Sequence, residues 1–225
     1  MADREFVSFI PKIQPSVPGC PQPLILQHIR DAAIRACERT LVWRYMIPLF
    51  DLTPGEYEYT FNVPSGTKVH AIFEAMVNGN PLQRLTLEQA LVKYPEWADL
   101  YDTIPFDPVA AKASQPRAIT QTTPNEFIIL PLPDDEDTYT VRMFTALKPT
   151  KTATGIEETI FDELEDAIMH GALQHLLLIP QVHWSDLNLA SYHAKQFVYH
   201  LAEARARANL GNVRGSMSVR MQPFA

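Results

Sequence analysis

Cysteine and glycine are both scarce in this chain of 225 residues, which holds two of the first and eight of the second. Cys20 stands among prolines and Cys37 inside a helical pattern, with no CxxC spacing and no Cys/His cluster, so neither a functional disulfide nor a zinc site is expected. The scattered glycines leave no material for a phosphate-cradling loop, and neither GxSxG nor HExxH occurs. No apolar run approaches the ~18 residues of a membrane span, and the opening MADREFVSF lacks the charged-then-apolar layout of a secretory signal. A cytosolic origin without membrane contact is the expectation. Positive charge is also in short supply. With 19 Lys and Arg against 26 Asp and Glu the net charge is -7, which argues against nucleic-acid binding by bulk attraction, because phosphate neutralisation needs concentrated bases.

What is present is 46% apolar and 20% charged, ordinary for a globular chain that buries a real core. The charge is unevenly placed: ten acids face three bases between Asp134 and Asp166, whereas from Leu201 onward four arginines face only Glu203. Such asymmetry either orients copies head to tail or marks two differently solvated faces.

The stretch PKIQPSVPGCPQP reads as an extended arm, since each proline removes a donor and biases its predecessor to extended backbone. Pro23 then opens a helix, with Ile25, Ile29, Ala32, Ala33, Ala36, Thr40 and Trp43 at intervals of three and four, stopping before Pro48. Between Gly55 and Thr150 the signals change to β. EYEYTFNVP alternates Tyr57, Tyr59 and Phe61, TKVHAIFEAMVNGNPL carries an Asn78-Gly79 hairpin turn, and NEFIILPLP and DTYTVRMFTAL are short strand-like runs. A shorter helix covers TLEQALVKYPEW, and the prolines from Pro105 to Pro133 mark loops and edges of a largely antiparallel sheet.

Helical order resumes after Lys151. Thr154 and Glu157 have capping-box spacing, and Ile160, Leu164, Ala167, Ile168, Gly171, Ala172 and His175 form one face before Pro180. Across a hinge, Ser185 is read as the N-cap of the next helix, Asp186 as an anion favoured by its dipole, and Trp184 as a staple against Leu189. That helix presents Ala190, Ala194, Phe197, Leu201, Ala204 and Ala208 as a narrow stripe of mostly small residues, with a Glu203-Arg207 pair worth a few tenths of a kcal/mol. The tail NVRGSMSVRMQPFA alternates Val213, Met217, Val219 and Met221 with Arg214, Ser216, Ser218 and Arg220. A lone terminal strand is unstable, so it must join this chain's sheet or another molecule's edge. The expected class is α+β: an antiparallel helix bundle with a small inserted antiparallel β domain and extended N- and C-terminal arms. The divisions are 1–52 (arm and first helix), 53–150 (inserted β region), 151–210 (helical hairpin) and 211–225 (C-terminal arm).

Chemistry finds little support. His170 and His175 point to different helical sides, His193 and His200 share one, and no acidic motif accompanies either pair, so structural or surface histidines are expected. The run from Asp134 to Asp137 reads as a solvated loop rather than a cation site. Trp43, Trp97 and Trp184 stand away from basic clusters and read as core or interface anchors. No cofactor, metal or catalytic residue is assigned.

The order of features is more telling: the Pro-Gly-Cys-Pro segment before a helix, EAMVNGNPL, YPEW, NEFIILPLP, and above all AIMHGALQHLLLIPQVHWSDLNLASYHAKQFVYHLAEARARAN. This order resembles the head-to-tail adaptor (connector) proteins of tailed bacteriophages over nearly the whole chain, most specifically at Gly171-Ala172-Leu173 and Trp184-Ser185-Asp186. The resemblance implies a structural virion protein, not an enzyme, assembled in the host cytoplasm and placed at the head-tail junction. It implies a ring, commonly of twelve subunits, beneath the portal, with a tail-side nozzle or tail protein as second partner and packaged DNA passing non-specifically through the lumen. The extended C-terminal segment would reach the portal, giving Arg214, Met217, Val219, Arg220, Met221 and Phe224 as interface residues. Trp184, Ser185, Asp186, Leu189 and Gly171 would form the hinge and its packing, and Arg205 and Arg207 would face the lumen or a neighbouring subunit. Rival readings are another neck or tail-tube component and a virion-associated enzyme; the long terminal helices favour the adaptor over a strand-built tube.

Overall fold

Helical turns, not an extended arm, form much of the proline-rich segment. In the computed structural model, which describes residues 3–95 and 114–210, strand β1 (Asp3–Glu5) leads into a 3-10 turn at Phe6–Phe9, helix α1 (Ile10–Ile13) and a second 3-10 turn at Gln14–Ser16. The expected N-terminal arm is thus corrected. Pro11 and Pro15 occupy the opening positions of their turns, where a missing N–H costs nothing. Meanwhile Phe6, Phe9, Ile10, Ile13, Val17 and Cys20 enter the core. Burial of each large apolar side chain contributes about 1.5–3 kcal/mol, enough to outweigh the extended bias of the prolines.

Helix α2 (Gln22–Thr40) buries the expected face, from Ile25 and Ile29 to Ala36 and Thr40. It ends sooner than Trp43, because Leu41 adopts left-handed backbone (φ 54°) and its N–H closes on the Cys37 carbonyl at 2.9 Å. Trp43 lies beyond the helix yet stays buried, its indole donating to Glu157 Oε2 at 3.1 Å. Strand β2 (Arg44–Asp51) follows at once. Pro48 sits inside it, where the register shifts between Ile47 and Phe50 on a strand at the sheet's edge, the setting in which a strand tolerates proline.

The β region comprises β3 (Glu58–Thr60), β4 (Thr67–Val77), β5 (Asn80–Pro81), β6 (Gln83–Arg84), helix α3 (Leu87–Lys93), β7 (Ala118–Gln121), β8 (Glu126–Leu130) and β9 (Thr140–Pro149). One four-stranded sheet runs β2-β9-β4-β5 and another β3-β8-β7-β6; all pairings are antiparallel except β6 with β7. The hairpin turn falls where expected, with Asn78 and Gly79 at φ 49° and 81°. Phe127 joins the two sheets, its ring 4.6 Å from that of Phe61, 5.7 Å from Tyr59 and 6.0 Å from Phe50. Thr86 and Gln89 form a reciprocal capping box on α3.

Beyond β9, strand β10 (Gly155–Glu157) pairs with β1, and this pairing overturns the capping box expected of Thr154 and Glu157. A Cβ on Gly155 would lie 2.5 Å from the Arg4 carbonyl oxygen, so the close approach of β1 requires glycine there. Glu157 caps no helix with its side chain; its carboxylate instead accepts from Trp43 and from Thr159 at 2.9 Å. Helices α4 (Glu158–Leu176) and α5 (Leu187–Leu210) complete the mixed α+β fold of the described residues, with α4 packed against both α2 and α5. The helix before Pro180 already ends at Leu176. One hydrophobic core runs from Phe6 to Ala204 through helices and strands, and a satellite of Ala90, Ala118, Ile128 and Leu130 lies beside α3.

Candidate functional site

The α4–α5 hairpin carries most of the residues singled out by sequence. Its inner surface follows the expected periodicity: Ile160, Leu164, Ala167, Ile168, Gly171 and Ala172 on α4, and Ala190, Phe197, Leu201 and Ala204 on α5, are all buried. His175, Ala194 and Ala208 are half-buried. Gly171 marks the point where three helices meet. A Cβ there would stand 2.9 and 3.0 Å from ring carbons of Phe197 on α5 and 3.0 Å from Cβ of Ala32 on α2. The small residue therefore sets the approach of both neighbours to α4.

The hinge differs in detail from the sequence reading. Asp186, not Ser185, caps α5: its Oδ1 accepts from the N–H groups of Asn188 at 2.9 Å and Leu189 at 3.0 Å. Ser185 turns back to donate to the Leu177 carbonyl at 3.2 Å, closing the end of α4 instead. Moving the cap by one residue moves the staple positions off Trp184 and Leu189, and Leu189 is exposed. Trp184 packs against the main core, edge-on to His183, and its buried indole N–H has no hydrogen-bond partner among the described residues. His183 in turn meets the Pro18 carbonyl at 2.5 Å, so the Pro-Gly-Cys-Pro turn braces the hinge loop.

Three histidines converge, of which sequence spacing places only His193 and His200 on one side of a helix. His170 Nδ1 lies 2.7 Å from His193 Nδ1, and the His170 ring stacks on His200 at 5.4 Å with an 8° interplanar angle. Burial, then the neighbouring His193 and His200, pushes the His170 pKa down, against an opposing pull from Asp166; burial alone lowers His193. Two neutral rings satisfy this contact, one as donor and one as acceptor, whereas two imidazolium ions cannot. A second pair, His28 and His175, stacks between α2 and α4 at 6.2 Å, with Arg35 on His175 Nε2. Both are also held below the usual histidine value, burial being the largest cause. Intrahelical spacing hid the first cluster; an antiparallel hairpin centred near residue 181 brings positions 170 and 193 opposite each other.

Among the described residues no group of three or more His, Cys, Asp or Glu is arranged to hold a metal ion. Of the carboxylates from Asp134 to Asp137, two bind their own loop, Asp134 accepting from Tyr139 Oη at 2.6 Å and Asp137 from the Thr138 N–H at 2.8 Å. Cys20 and Cys37 are separate buried thiols, and burial pushes Cys37 up to about 12. Among the described residues no helix is long and apolar enough to cross a membrane.

Charge on the hairpin is divided between its helices. α4 exposes Glu158, Asp162, Glu163 and Asp166, of which Asp162 pairs with Arg4 at 3.2 Å, while the half-buried Glu165 pairs with Lys12. α5 exposes Lys195, Arg205 and Arg207, and Arg207 approaches Glu203 at 3.8 Å as its spacing predicted. Sequence reasoning also missed a set of large apolar side chains exposed along α5: Leu187, Tyr192, Val198, Tyr199 and Leu210 are each 51–73% accessible. The expected portal-facing residues Arg214, Met217, Val219, Arg220, Met221 and Phe224 lie outside the described residues, as does Trp97. Against known proteins, residues 11–222 match the family described as SU10 adaptor protein, a match that spans both sheets and the helical hairpin. No curated protein matches the chain. On that match the chain belongs to the SU10 adaptor protein family, a structural family of bacteriophages.

Proposed function

We propose that this chain forms a ring, of about twelve copies in the family it resembles, between the portal and the tail, joining the two and leaving a channel for the genome. The observation that carries the reading is the family match over residues 11–222, which includes the helical hairpin and reaches into the C-terminal segment. In this reading the helices of 1–52 and 151–210 build the ring as a bundle into which the β region, 53–150, is inserted, with β2 at Arg44–Asp51 belonging to the sheet of that region rather than to the helical part. The segment 211–225 reaches the portal through Arg214, Met217, Val219, Arg220, Met221 and Phe224. A heterologous contact repeated by a closing rotation makes a ring, and many modest contacts around it hold together by multivalency. Arg205 and Arg207 face a neighbouring copy or the lumen, where DNA passes without sequence readout. The tail-side partner docks on the far side of the ring, and the protein acts by mechanical joining rather than turnover.

The test is truncation after Leu210. The shortened chain is expected to keep its helical circular dichroism and melting temperature while losing co-sedimentation with portal. Undiminished attachment of the truncated chain would refute the assignment of the C-terminal segment.

A further inference from the structure

We infer that the outward face of α5 is a docking surface for a second copy of this chain, and that it seats on the acidic face of that copy's α4. The inference deepens the ring reading and rests on it, naming the surfaces through which neighbours touch.

Helix α5 is apolar on more than the side it buries. Ala190, Phe197, Leu201 and Ala204 bury its inner stripe, yet Tyr192, Val198 and Tyr199, on other sides of the same helix, remain 51%, 58% and 64% accessible. A helix that is apolar on one stripe only is satisfied by one core; a helix apolar on two sides needs two partners. Within the described residues α5 has one partner layer, made of α4 and α2. Lys195 lies among these exposed side chains, three residues after Tyr192 and four before Tyr199, and so shares their side of the helix. Arg205 continues the positive charge toward the C-terminal end beside Val198, lining a groove with Glu38 and His70. Neither Lys195 nor Arg205 has an acidic partner among the described residues.

The complement stands on the adjacent helix. Glu163 and Asp166 are exposed on α4 without a cation partner among the described residues, and α4 carries no lysine or arginine at all. Tyrosine hydroxyls on α5 add donors suited to carboxylates, while the rings supply apolar area at low conformational cost. Glu203 is also exposed on this side, four residues beyond Tyr199, but Arg207 already approaches it at 3.8 Å; the unpaired charge of the face is therefore positive, which opposes a two-fold contact of α5 with α5 and favours a heterologous one, the kind that closes rings. DNA fits this face poorly: two unpaired bases among tyrosines and valine make no phosphate track.

The experiment uses the full chain with two charge-reversed variants, Lys195→Glu/Arg205→Glu and Glu163→Lys/Asp166→Lys. All four positions are exposed, so folding is checked simply by circular dichroism. In sedimentation velocity the wild type is expected to self-associate, and each variant alone to associate at least about tenfold more weakly, since it sets like charges face to face. An equimolar mixture of the two variants restores association, because each reversed α5 meets a reversed α4. Variants that associate like the wild type, or a mixture that restores nothing, overturn the inference. So does a loss of association in the α5 variant with none in the α4 variant, which marks an α5-to-α5 contact. If the variants still close rings on the portal with wild-type efficiency, the interface assignment fails and the ring reading stands; if the wild type neither self-associates nor rings on the portal, both fail.

Discussion

Replacing Gly171 by alanine sets two opposing terms against each other, and the structure decides between them. Alanine is favoured over glycine inside a helix by about 0.8–1.0 kcal/mol, and that gain is available at a position well within α4. The added methyl, however, meets Phe197 ring carbons at 2.9 and 3.0 Å and Ala32 Cβ at 3.0 Å. Neither neighbour yields readily, because Phe197 is 3% exposed and Ala32 is fixed to the backbone of α2. Overpacking of this kind costs about 1–3 kcal/mol, so the net effect is a loss of up to about 2 kcal/mol. For a chain of this size that lowers the melting temperature by about 2–4 °C per kcal/mol. Urea denaturation and calorimetry measure it directly. Adding Phe197→Leu to Gly171→Ala is expected to cost less than the sum of the two single changes, with a coupling of about 0.5–3 kcal/mol. A Gly171→Ala protein more stable than the wild type would show that the three helices have room to spare and would sink the packing argument.

Two further outcomes follow from the hinge and the histidines. Asp186→Ala is expected to destabilise by about 1 kcal/mol and Ser185→Ala by less, since only Asp186 accepts the helix N–H groups; equal losses by chemical denaturation would restore Ser185 as the cap. His28, His170, His175 and His193 are all held below their ordinary 6.5, so the unfolded chain takes up protons that the folded one refuses. The associated stability is fully present above pH 6.5 and is lost as the pH falls through that value toward the lower folded-state pKa values. Melting temperature should therefore drop between pH 7.5 and 5.5, and His170→Asn/His193→Asn should flatten that slope; an unchanged slope would remove this pair as its source.

The sequence disclosed those features that depend on local periodicity. The inward faces of α2, α4 and α5, the Asn78-Gly79 turn and the strands from Glu126 and Thr140 follow directly from spacing and turn chemistry. What escaped it depends on partners distant in the chain. The proline-rich segment turns helical because Ile10, Ile13 and Val17 find a core, and Gly155 to Glu157 becomes a strand because β1 arrives from the other end of the chain. The cluster of His170, His193 and His200 exists only once the hairpin closes, and the exposure of Tyr192 and Tyr199 is known only once the inner stripe of α5 is seen to be filled.

Electron microscopy of the purified chain incubated with the portal tests the central claim most directly. The account predicts one annular layer of this protein added coaxially to each portal, with a neighbour-to-neighbour contact between α5 of one copy and α4 of the next. Portal particles left bare, beside a chain that remains monomeric, would contradict it.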